Sequence, residues 1–116
     1  MIQVQVKRNA HKQLQSVQLS GHADSGPHGY DLVCAGVSAV TFGAINAVEE
    51  LCHVELVIAQ EEDRGYLLCS VPDSIQEHPN EHVYLLLEGM ISSLKTIEAV
   101  YSEHIQVNDR GGGWRA

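Results

Sequence analysis

The sequence predicts an α+β fold: a small ββαββαβ domain whose mostly antiparallel sheet packs against a central buried helix and a second amphipathic helix. Three observations lead there. Short segments near the start and the middle of the chain alternate apolar with polar residues, as half-buried strands do. The run from Asp31 to Leu51 has a helical pattern and is apolar on nearly every side. The stretch from Pro79 to Tyr101 gathers its apolar residues on one helical stripe. At 116 residues the chain forms one domain, expected over 1–108, with 109–116 as a flexible tail.

Ile2, Val4 and Val6 alternate with polar residues and define the first strand. Asn9-Ala10-His11-Lys12 reads as a turn. A second strand runs from Leu14 to Leu19, and its alternation slips in phase between Leu14 and Val17, which predicts a bulge or a late start. Gly21, Gly26, Pro27 and Gly29 then forbid regular structure over residues 20–30. The helix that follows is apolar at Leu32, Val33, Val37, Val40, Phe42, Ile45, Val48 and Leu51, a pattern expected of a helix buried on all sides. Strands are expected at His53–Ile58 and Tyr66–Val71, joined by an acidic turn, Glu61-Glu62-Asp63-Arg64-Gly65. Pro72-Asp73-Ser74 breaks the pattern. The second helix starts near Pro79 and faces the core with Val83, Leu86, Leu87, Met90, Leu94, Ile97 and Tyr101. Glu103–Val107 adds a last short strand.

Composition narrows the function. Seven basic residues against fifteen acidic ones give a formal charge of −8, which opposes direct nucleic-acid binding and suits a basic protein or peptide partner. No apolar run reaches the roughly 18 residues that span a bilayer, so no membrane segment is expected. The alternating N-terminus does not resemble a signal peptide, and the expected location is cytoplasmic. Cys34, Cys52 and Cys69 are odd in number and irregularly spaced, which fits reduced thiols. Cys52 and Cys69 read as core residues. His78 and His82 have a metal-compatible spacing but no third ligand, and no metal or other cofactor is expected.

Cys34 has two open readings. If Asp31 caps the long helix, Cys34 stands in its first turn, where unpaired amides and the helix dipole favour a thiolate. His22, beside Gly21, is a candidate general base, and helix-end amides near Cys34 are candidate oxyanion donors. The plainer readings are a small packed residue for Cys34, an exposed loop histidine for His22 and a simple cap for Asp31. Ser38, one turn beyond Cys34, is either a buried hydroxyl bonded to the backbone or a support for the site.

The stretch Gly21-His22-Ala23, then Gly29, then Asp31-Leu32-Val33-Cys34-Ala35-Gly36-Val37-Ser38-Ala39-Val40, closely resembles the ribosomal-processing cysteine protease family (Prp). The resemblance implies a homodimeric endopeptidase that removes a short N-terminal extension from a large-subunit ribosomal protein. It puts the catalytic pair on His22 and Cys34; Gly21, Asp31 and Ser38 are expected to support them from their places beside the pair. It also implies a substrate-gating loop over 23–30, including Ala23, Gly26, Gly29 and Tyr30. Pro27 and the Gly-Gly-Gly-Trp-Arg-Ala tail depart from the family pattern. Two alternatives come from other classes: a non-catalytic ribosome-assembly module, and a thiol redox sensor at Cys34.

Overall fold

The computed structural model describes residues 1–22, 31–61 and 65–110. The expected gating loop (Ala23, Gly26, Pro27, Gly29 and Tyr30), the hairpin tip 62–64 and the tail residues 111–116 lie outside the described residues.

Strands β1 (Ile2–Arg8) and β2 (Leu14–Ser20) pair antiparallel. Their turn is held by the Asn9 side chain, whose Oδ1 accepts from the amides of His11 and Gln13 at 2.9 and 3.0 Å. The slip in β2 is a bulge: Lys7 faces Ser16 and Arg8 faces Leu14, so Gln15 is the extra residue. The bulge returns Leu14, Val17 and Leu19 to one buried face, which strict alternation from Leu14 would not do.

Helix α1 (Leu32–Cys52) follows, then β3 (Val57–Glu61) and β4 (Tyr66–Ser70) as an antiparallel hairpin. The expected start of β3 at His53 moves to Val57, because His53 adopts a left-handed conformation (φ 56°) that ends α1. A short helix, α2 (Asp73–Glu77), stands where Pro72-Asp73-Ser74 was expected only to break the pattern. Pro72 precedes its first turn, which fits a residue with no amide to place. Helix α3 (Glu81–Val100) is capped by Asn80, whose side chain accepts from the amides of His82 and Val83, so it begins after Pro79 rather than at it. Strand β5 (Ile105–Asn108) closes the chain order.

The sheet order is β3-β4-β2-β1-β5, antiparallel except for β1 with β5. The core joins the inward residues of four strands, Val4, Val17, Leu67 and Ile105 among them, to Val33, Val37 and Val48 of α1 and Val83, Leu87, Ile91 and Leu94 of α3. Tyr101, expected on the α3 stripe, is exposed at the helix end, while Tyr84 and Ile91 are buried.

The expectation that α1 is buried on all sides fails. One stripe, Val33, Val37, Thr41, Ile45 and Val48, is buried, whereas Leu32 and Leu51 are 77% and 67% exposed. The helix packs along α3, leaving its far side uncovered. Its small residues raise its hydropathy without requiring burial. By length and mean hydropathy (1.6) it also passes as a membrane-crossing helix, contrary to the expectation that no run is long enough. β3 is exposed along its whole length at the sheet edge, so the helical layer stops short of it.

Candidate active site

The topology brings both ends of the 23–30 segment to one end of the molecule. Ser20, the last residue of β2, pairs with Gln3 of β1 and Tyr66 of β4. At the opposite end of the sheet Val57 begins β3 opposite Ser70. α1 therefore runs back along the sheet, roughly 30 Å at 1.5 Å per residue, from the end where β2 leaves to the end where β3 enters. A second contact agrees. A Cβ on Gly36 would sit 3.8 Å from Cδ1 of Ile97, near the end of α3, and α3 leads into β5, where Ile105 pairs with Ile2. His22 and Cys34 thus belong to the same end of the fold.

Asp31 caps α1, with its Oδ1 accepting from the Cys34 amide at 3.0 Å. That makes Cys34 the third residue of the helix, as expected from the sequence, in the first turn where the helix dipole is most positive. The thiol is half-buried against the core. The capping bond has a chemical consequence: the Cys34 amide is committed to Asp31 Oδ1, and the Ala35 amide to the Asp31 carbonyl at 3.0 Å. Neither is available as the oxyanion donor that the sequence suggested near Cys34.

His22 is exposed, but its ring is not without a wall. Gly21 has φ +91°, and a Cβ there would collide with the Met1 carbonyl. Gly21 donates its amide to the Gly65 carbonyl at 2.9 Å. Gly65, φ +58°, comes so close that a Cβ on it would lie 2.9 Å from Cε1 and 3.1 Å from Nε2 of His22. The acidic hairpin turn read from the sequence as a soluble tip thus ends in a residue packed on the imidazole. No local pattern announces a contact between positions 22 and 65.

Ser38 is exposed, so its reading as a buried hydroxyl is wrong. The other two cysteines behave as core residues: Cys52 is half-buried, and burial pushes the Cys69 thiol up to about 11. None of the three forms a disulfide. His78 ends α2 and His82 lies in the first turn of α3, so they never share the helical face their spacing suggested.

Residues 1–106 match the family model described as cysteine protease Prp. The chain belongs to the Prp cysteine protease family. The ribosomal processing cysteine protease Prp of Bacillus subtilis is 44% identical over 107 residues, covering 92% of this chain and 96% of the relative. The Prp crystal structure from S. aureus with a covalently linked product peptide superimposes with a TM-score of 0.86 at 37% identity, covering 93% and 98% of the two chains. A Streptococcus mutans structure gives 0.81 at 32% identity, covering 93% and 92%. The chain is therefore a Prp-family thiol protease, a peptide hydrolase of ribosomal processing. That sets aside its reading as a non-catalytic assembly module.

Proposed function

We propose that Cys34 is the nucleophile and His22 the general base of an endopeptidase that removes a short N-terminal extension from a large-subunit ribosomal protein. The observation that carries this reading is the arrival of His22 and an N-capped, helix-start Cys34 at one end of the fold, in a Prp-family chain. His22 takes the Cys34 proton, and the thiolate sulfur attacks the scissile carbonyl carbon. The tetrahedral intermediate collapses as the imidazolium protonates the departing amine, leaving a thioester. Water, deprotonated by the same imidazole, then hydrolyses the thioester and restores the thiol. The S. aureus relative was crystallised with a covalently linked product peptide, and this mechanism passes through such a bond.

Gly21 and Asp31 hold the two side chains in place, Ser38 borders the substrate side one turn past Cys34, and the 23–30 segment admits the substrate. The formal charge of −8 suits a basic ribosomal protein. The enzyme is proposed to act as a homodimer. The uncovered side of α1, with Leu32, Ala35, Ala39 and Phe42, supports self-association. Three thiols outside any disulfide suit a reducing cytoplasm. The redox-sensor reading is weaker. Cys52, at the far end of α1, is roughly 27 Å from Cys34 by helical rise, and Cys69 is held protonated by burial.

The test is digestion of a peptide spanning the ribosomal-protein junction, followed by mass spectrometry. Cys34→Ala and His22→Ala are each expected to lower turnover by at least about a thousand-fold. Wild-type rates in either variant reject the assignment. Light scattering at twice the 12.7 kDa chain mass supports the dimer, and a monomer at assay concentration rejects it.

A further inference from the structure

We infer that Gly65 is a positioning residue for the His22 imidazole: only a residue without a side chain lets β4 begin against the Cε1–Nε2 edge of the ring. The inference rests on the reading of His22 as the general base and adds a part that the catalytic pair does not contain. His22 hangs from the end of β2 and is exposed, so its own strand leaves the ring free to rotate about χ1 and χ2. Among the described residues, the start of β4 stands against it. A Cβ on Gly65 would stand 2.9 Å from Cε1 and 2.7 Å from the Gly21 carbonyl oxygen, both closer than real Cβ atoms come, and 3.1 Å from Nε2, a tight contact. The approach is fixed rather than incidental. The Gly21 amide donates to the Gly65 carbonyl at 2.9 Å, and the next pair in the ladder, Ser20 with Tyr66, locks the register. The two glycines thus form a backbone clasp against the Cε1–Nε2 edge of the ring.

A methyl group at position 65 must push either the ring or the Gly21 peptide away. Displacements of that order misalign a proton transfer and cost up to about a hundred-fold in rate. Substrate contacts made elsewhere are untouched, so the loss falls on kcat.

The clasp itself is tested in the wild-type protein by NMR. An NOE between the His22 Cε1 proton and the Gly65 α-protons is expected, and its absence overturns the inference whatever any variant does. Gly65→Ala and Gly65→Asn then separate the added Cβ from backbone strain, because asparagine tolerates a positive φ better than alanine. Both are expected to lose about 10- to 100-fold in kcat with KM within about twofold, and to move the His22 Cε1–H resonance. Folded variants with wild-type kcat overturn the inference, as does a loss confined to alanine. Adding Gly65→Ala to His22→Ala is expected to leave the residual rate unchanged; a further fall shows that the glycine acts by another route and overturns it. The two readings fail separately. Wild-type turnover in His22→Ala removes the general base itself, whereas an inactive His22→Ala beside active Gly65 variants removes only the positioning role.

Discussion

Thr41 is 1% exposed on the buried stripe of α1, and its hydroxyl has no hydrogen-bond partner among the described residues. An unsatisfied buried hydroxyl costs about 1–3 kcal/mol, and valine has nearly the same shape without it. Thr41→Val is therefore expected to raise stability by about 1 kcal/mol, read as a higher urea midpoint at unchanged slope. Gly89 offers the opposite kind of gain. It lies exposed in α3, where a Cβ meets nothing within 4 Å. Gly89→Ala should add about 1 kcal/mol through helix propensity alone, measurable in the same assay. Gly21 and Gly65 contrast with it. Their positive φ and close neighbours make any side chain there strained, so glycines of one sequence divide into spare and constrained ones by surroundings that composition does not reveal.

The decisive element is the first turn of α1. The Asp31 carboxylate satisfies an amide there but also places a negative charge beside the thiol it helps to position. Asp31→Ala removes the cap and should cost about 1 kcal/mol in thermal or urea unfolding. Asp31→Asn keeps a capping oxygen while removing the charge, which favours the thiolate. Its iodoacetamide reaction at Cys34 is expected to rise at a lower pH than that of the wild type; an unmoved profile would show that the carboxylate does not act on the sulfur. At the other end of the chain, β5 is short and lies at a sheet edge. Glu98 of α3 accepts the Val107 amide at 2.6 Å, so a helix side chain satisfies an edge strand.

Across the whole molecule, one ion cluster ties the chain ends together. Arg8, at the end of β1, donates to both carboxylate oxygens of Glu88 on α3, at 2.5 and 2.8 Å, and to both of Asp109 past β5, at 2.9 Å each. Lys95 adds a bond to Asp109 at 3.3 Å. The Arg8 and Asp109 side chains are only 3% and 2% exposed, so removing the arginine strands two carboxylates in a poorly solvated place. Arg8→Met is expected to destabilise by about 3 kcal/mol in urea unfolding. The hydrogen bonds from Arg8 hold the Asp109 carboxyl below its ordinary value. A carboxyl lowered by folding stabilises above its unfolded pKa, and that contribution fades as pH falls through its folded pKa. Stability should therefore decline on acidification below about pH 4, and Asp109→Asn should flatten that part of the curve. An unchanged acid limb would show that Asp109 does not govern it.

The strands, the two long helices and the bulge in β2 were legible because each follows from local periodicity, and the family was legible because its motif is confined to residues 21–40. The capping bond could be read for the same reason: Asp31 and Cys34 are one helical turn apart. The short helix at Asp73–Glu77 was hidden by a proline that looked like a breaker and served as a start. The open side of α1 was hidden because apolar small residues look alike whether covered or not; only the placement of α3 and the width of the sheet decide which side is buried. The cluster on Arg8 and the seat of the His22 ring on Gly65 belong wholly to tertiary structure. Each joins residues dozens of positions apart, and a linear pattern carries no signal for contacts whose distance is set by how strands pair.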